Sequence, residues 1–159
     1  MPDIFATSGA KFYIGQALPT QSDDFVESDF DGQSWVEVGF VETIGAFGDE
    51  ASLITFDSVG EGRTYKLKGN RNAGDMQLVS AINYGDFGQA TLRAAEGTPN
   101  NYAFRIEFND MPSGGSTPSY RYFIGLVTSV REQLDGANNV MKLNTTVAIN
   151  SNIVRTDAA

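Results

Sequence analysis

The sequence predicts a mainly β domain, an antiparallel β-sandwich or barrel with one flanking α-helix. Three observations carry this. Seven or eight segments alternate apolar and polar residues at the period of a half-buried strand. Glycine is abundant, at 17 residues, and Phe and Tyr add 11 and 6; glycine mixed with aromatic and β-branched runs marks short strands joined by turns. Only one stretch carries a helical cap and period. A length of 159 residues suits a single domain, expected over 1–159, with a real core.

Taken in order, Ala10–Ala17 (AKFYIGQA) reads as the first strand. Residues 18–34 (LPTQSDDFVESDFDGQS) are polar, acidic and unpatterned, which predicts a long loop. Trp35–Ile44 (WVEVGFVETI) alternates, with Val36, Val38 and Phe40 on one face, and reads as one strand. A turn follows at Gly45–Glu50. Ser52–Phe56 (SLITF) and Thr64–Lys68 (TYKLK) read as the arms of a hairpin whose glycine-rich connection is mobile. Asp75–Ile82 is a further strand with Met76, Leu78 and Ile82 on one face.

The helix is expected in FGQATLRAAE, with Asp86 as N-cap and Gly97 just beyond its end. Phe87, Ala90, Thr91, Ala94 and Ala95 follow the spacing of one apolar face, which leaves Leu92 off the stripe and makes Gly88 a weak point of the first turn. Pro99 stops any continuation. Tyr102–Phe108 and Tyr120–Val130 then read as strands, the second with a bulge at Gly125. Asp135-Gly136 marks a hairpin turn. Val140–Ile149 closes the fold, with Met141, Leu143, Thr145, Val147 and Ile149 facing the core. The tail, about 150–159, is expected to be an extended arm.

Composition removes most chemistry. There is no His and no Cys, so Ser-His-Asp and Cys-His catalysis, the usual zinc sites and disulfides are all ruled out. No acid pair is set apart for two-carboxylate hydrolysis, and no enzymatic activity and no cofactor are expected. Asp29-Phe30-Asp31-Gly32 lacks the later ligands of a calcium loop. Gly60-Glu61-Gly62 matches no phosphate-binding loop. Asn144-Thr145-Thr146 is a formal glycosylation sequon that reads as a polar strand face. Trp35 suits a core-edge anchor, and stacking on a sugar is its other use. No apolar run of 18 residues exists to span a membrane. The N-terminus lacks a basic start followed by an apolar stretch, so synthesis inside the cell is the expectation.

Charge is unevenly distributed. Residues 1–62 hold twelve acids and one base, and residues 63–159 hold eight acids and ten bases, which together give the net −9 at pH 7. The bases Arg63, Lys66, Lys68 and Arg71 are crowded into nine residues. The acids Asp23, Asp24, Glu27, Asp29 and Asp31 are crowded into the long loop. These nine residues are the candidate inter-subunit contacts, since a chain with an acidic region and a basic segment can attract a copy of itself head to tail. The alternative is a charged, solvated face that keeps the chain soluble. The acidic balance argues against tight nucleic-acid binding, which draws on Lys and Arg.

The order of these pieces resembles the tail tube proteins, also called major tail proteins, of long-tailed bacteriophages with non-contractile tails, and the similar proteins of gene transfer agents. The resemblance covers about Ser8 to Ile153. It runs through SGAKFYIG, WVEVGFVETIGAFGDE, LITFDSVGEGRTYKLKGNRNAG, the strand–helix–strand unit DMQLVSAINYGDFGQATLRAAEGTPNNYAFRIEF, and the terminal hairpin FIGLVTSVREQLDGANNVMKLNTTVAI. Each piece is a loose pattern. The resemblance implies the tail tube fold and hexameric rings of this chain, stacked into a hollow tube. It implies a lumen through which DNA passes without specific binding, with the tape measure protein and terminator or tip proteins as partners. It also implies a place in the tail of a particle made in a bacterial cytoplasm. A long flexible loop reaching the next ring would match about 57–74, which holds the basic cluster. No extra immunoglobulin-like domain after the tube domain is expected, and with it no surface decoration. Two other readings stand beside this one: a soluble β-sandwich that binds carbohydrate or protein, and the tube protein of a contractile injection system.

Overall fold

The computed structural model describes residues 4–159. Ten strands and one α-helix are present among them: β1 (Lys11–Ala17), β2 (Val36–Glu37), β3 (Val41–Thr43), β4 (Glu50–Ser58), β5 (Arg63–Asn72), β6 (Asp75–Ala81), α1 (Phe87–Glu96), β7 (Tyr102–Glu107), β8 (Tyr120–Gln133), β9 (Lys142–Ile149) and β10 (Val154–Thr156). The fold is mainly β, 44% strand and 9% helix, as the sequence predicts.

Eight strands form one antiparallel sheet in the order β2-β1-β7-β8-β9-β6-β3, with β10 added beside β8. The chain neighbours β2 and β3 lie at the two opposite edges. The expected single strand 35–44 is therefore two short ones, and residues 38–40 carry the chain from one edge of the sheet to the other. The break falls at Gly39-Phe40, where Phe40 takes a φ of 59°. The Val38 N–H still donates to the Phe12 carbonyl (2.9 Å), and the Ala81 N–H donates to the Phe40 carbonyl (2.9 Å). The sheet thus curls nearly closed around a core that includes Phe12, Ile14, Met76, Leu78, Phe104, Phe123, Leu143 and Val147.

Helix α1 seals the seam. Asp86 caps it, accepting from the Gln89 N–H at 2.9 Å, and also accepts from the Gly39 N–H at 3.0 Å. The buried Gln89 side chain stitches both sides of the gap. Its Nε2 donates to the carbonyls of Gly39 (3.0 Å) and Ala81 (2.8 Å), and its Oε1 accepts from the Asn83 N–H (3.0 Å). The buried face of the helix is Gly88, Gln89, Leu92 and Ala95, while Phe87 is 72% exposed. The stripe expected from Phe87, Ala90 and Ala94 is thus rotated. The seam demands it: a Cβ at 88 would collide with the Glu37 carbonyl oxygen and lie 2.6 Å from Val38 Cα. Glycine at 88 lets the helix approach the crossing chain, a requirement that outweighs its poor helix propensity.

Two further expectations shift. The irregularity in β8 lies between Val127 and Ser129, not at Gly125. Gly125 is needed instead because a Cβ there would sit 2.8 Å from the Ala148 carbonyl oxygen. In β9 the buried alternation is Leu143, Thr145, Val147 and Ile149; Met141 precedes the strand and is 44% exposed.

The tail is docked rather than extended away. β10 pairs with β8 at Tyr120, Arg121 and Tyr122, in the stretch that β9 leaves free. Ser119 Oγ accepts from the Ala158 N–H at 3.0 Å. The Ala159 carbonyl accepts from the N–H groups of Ser116 (2.8 Å) and Thr117 (3.1 Å). These bonds satisfy an open sheet edge.

Candidate assembly surfaces

The acidic loop 18–34 is polar but anchored. Phe25 and Phe30 are buried, and Phe30 stacks on Tyr122 with ring centroids 5.3 Å apart. The amide of Asn152 accepts from the Phe25 N–H (2.7 Å) and donates to the Phe25 carbonyl (2.9 Å). Asp29 Oδ2 accepts from the Val26 N–H at 2.9 Å, so that carboxylate closes a turn. Asp23, Asp24, Glu27 and Asp31 stand exposed around the two buried rings. Among the described residues no group of three or more acids could hold a metal ion. The loop therefore presents negative charge from a fixed platform. Its two buried Phe residues were the available signal, but they follow no strand or helix period.

Trp35 packs beside Arg105 on the sheet face that carries the Phe25, Phe30 and Tyr122 cluster. The Arg105 guanidinium lies 4.1 Å from the Tyr13 ring centroid, 5.1 Å from Trp35 and 5.2 Å from Tyr120. The indole is a half-buried wall of a cation–π stack, which leaves little of its face for a sugar.

The four bases lie on β5. It pairs only with β4, and this two-stranded hairpin stands apart from the main sheet. Where the sequence suggested a loop over 57–74, β5 occupies Arg63–Asn72 and only a tight connection separates it from β4. Tyr65 donates from its hydroxyl to Glu61, which holds the connection together and raises the phenol above its ordinary pKa. Thr64 Oγ1 donates to Asp57 at 2.6 Å. Directly opposed residues share a face, so Lys66 and Lys68 lie opposite Thr55 and Leu53 on one side. Arg71 pairs with Asp49 at 3.2 Å. It lines a cavity of about 390 Å³ with Asp49, Asp24 and Asn152. Arg63, Lys66 and Lys68 have no ion pair among the described residues.

An apolar cavity of about 270 Å³ is lined by Phe5, Ile44, Phe47, Ile106 and Phe108, with Asp110 as its acid. Both Asp110 oxygens are engaged, accepting from the N–H (2.8 Å) and hydroxyl (2.6 Å) of Ser119. Those bonds hold its carboxyl below the ordinary carboxylate range. Ser119 thus fixes the Asp110 carboxylate at the wall of the cavity.

With an exposed hairpin and a nearly closed sheet sealed by one helix, the architecture has clear counterparts among solved structures. It is the tail-tube fold. A chain of the six-fold symmetrised baseplate of the anti-feeding prophage superimposes with a TM-score of 0.72 at 12% identity, covering 99% of this chain and 98% of that one. The sheath/tube terminator of the extracellular contractile injection system PVC, in its extended state, gives 0.66 at 10% identity, covering 98% of each chain. The SPP1 tail tube gives 0.59 at 9% identity, covering 93% of this chain and 76% of that one. No family model matches the sequence, and no curated protein does. At these identities the tail-tube likeness is one of fold.

Proposed function

We propose that this chain is a structural subunit of a phage-like tail tube. Copies assemble into hexameric rings, the rings stack into a hollow tube, and DNA passes through the lumen without being gripped. The observation that carries this is the tail-tube fold over nearly the full chain, joined to a hairpin that its own body leaves bare. The chain is not an enzyme in this reading, and it needs no cofactor. Its partners are itself, terminator or tip proteins and a tape measure protein, in the tail of a phage or gene-transfer-agent particle. A wall of net negative charge suits passage of DNA, because affinity for phosphates draws on Lys and Arg.

Arg63, Lys66, Lys68 and Arg71 are the basic side of the subunit contact, and the anchored acids Asp23, Asp24, Glu27, Asp29 and Asp31 of a neighbour are the complementary side. The tube of a contractile device is the second reading, favoured because two of the matched chains belong to a contractile injection system. A partner sheath protein encoded beside this chain separates the two. Sedimentation velocity of the purified chain across a concentration series tests assembly. Species of six subunits and multiples of six are expected, and a monomer at every concentration would overturn the proposal.

A further inference from the structure

The hairpin β4–β5 has a second, apolar face. Ile54 lies opposite Leu67 and Phe56 opposite Tyr65, so four large side chains share it. They are 50%, 63%, 64% and 45% exposed, and Val59 in the connection is fully exposed. A lone two-stranded hairpin is marginal in water, and a contiguous exposed apolar surface marks a contact. Another such surface lies at the far end of the body. The hairpin joins the body at the start of β6, through Asn72 and Asp75. Tyr84 and Phe87 follow the other end of β6, beyond Ala81. Phe40 belongs to the same corner, because its carbonyl accepts from the Ala81 N–H and its neighbour Gly39 is held by Asp86. Phe40, Tyr84 and Phe87 are 62%, 77% and 72% exposed.

We infer that the corner formed by Phe40, Tyr84 and Phe87 is the docking site for the apolar face of the hairpin of a second copy. This rests on the self-assembly reading above. Donor and acceptor surfaces sit at opposite ends of one strand, so the contact is head to tail and leaves each copy with one free end of each kind. Charge favours the same occupant. Residues 50–72 carry four bases and three acids, a net of +1, while the rest of the chain carries −10. Glu37 lies exposed beside the corner, while Glu42 is paired with Lys142 at 3.0 Å and Asp86 caps α1. A φ of 59° at Phe40 is a conformation that large side chains rarely adopt, and docking gives this exposed residue a use.

The absence of cysteine makes single-cysteine reporters clean. Val59→Cys places one beside the apolar face of the hairpin, and Ala90→Cys places one on the exposed side of α1, a turn from Phe87. A mixture of the two single variants, treated with a short bis-maleimide under assembly conditions, should give a cross-linked heterodimer, and the double variant should give a ladder. Phe56→Asp and Phe87→Asp should each lower polymer yield at least tenfold with an unchanged circular dichroism spectrum. Val59→Cys cross-linking to itself and not to Ala90→Cys would show hairpin-to-hairpin pairing and overturn the inference. So would tubes that form normally from Phe87→Asp, or tubes without the mixed cross-link. Failure of the wild-type chain to form any multimer would instead remove the self-assembly reading, and this inference with it.

Discussion

Gln89→Ala should weaken the seam far more than the loss of one helical side chain suggests. The substitution leaves three backbone groups without their partner: the carbonyls of Gly39 and Ala81 and the N–H of Asn83. Gln89 is 2% exposed. An orphaned buried polar group costs about 1–3 kcal/mol, and water entering the vacated space keeps each near the low end, so the expected loss is about 3 kcal/mol. For a domain of this size about 2–4 °C of Tm accompanies each kcal/mol, a fall of roughly 6–12 °C. Urea unfolding of dilute monomer, with the slope unchanged from wild type, is the assay. Gln89→Glu keeps the shape but points a carboxylate at two carbonyls. Burial and those carbonyls should raise its native pKa above the unfolded value of about 4.3. Its contribution is then present below that value and is lost as pH rises through the native pKa, so this variant should recover toward wild type in acid. A Gln89→Ala midpoint within about 1 kcal/mol of wild type would refute the view that α1 holds the two sheet edges together.

Three further outcomes follow from named contacts. Thr145 is fully buried with an unpartnered hydroxyl, so Thr145→Val should leave stability equal or raise it by about 1 kcal/mol, read as a small rise in Tm. Asp110 has its pKa depressed by the hydroxyl and N–H of Ser119; that stability is present above the unfolded pKa of about 3.9 and is lost as pH falls through the lower native value. The Tm gap between wild type and Asp110→Asn should therefore close in acid. Replacing Arg63, Lys66, Lys68 and Arg71 together with Gln should leave the circular dichroism spectrum unchanged but slow polymerisation in light scattering. High salt should slow wild type likewise, since the Debye length falls to about 3 Å at 1 M; equal polymerisation of variant and wild type at low salt would make the basic cluster a solubility feature.

The β content, the cap at Asp86 and the strands that form the core were legible because alternation and capping are local signals. Three features were not. The split of 35–44 depends on Phe40 adopting a φ of 59°, and a period-two pattern runs through that position undisturbed. The helix face was misread because Gly88 and Gln89 look like poor core residues until the crossing chain at Glu37 and Val38 is in place. The tail reads as an arm because its bonds go to a β8 edge that exists only after the sheet forms. The charge clusters were legible as composition. The apolar side of the hairpin emerged only from the register that sets Ile54 against Leu67 and Phe56 against Tyr65.

Electron microscopy of the concentrated, purified chain decides whether it assembles into a hollow tube. Six-fold rings and tubes of uniform bore are expected, with the β4–β5 hairpin of each subunit lying against the next ring. A field of separate monomers at every concentration, or compact closed dimers, would contradict it.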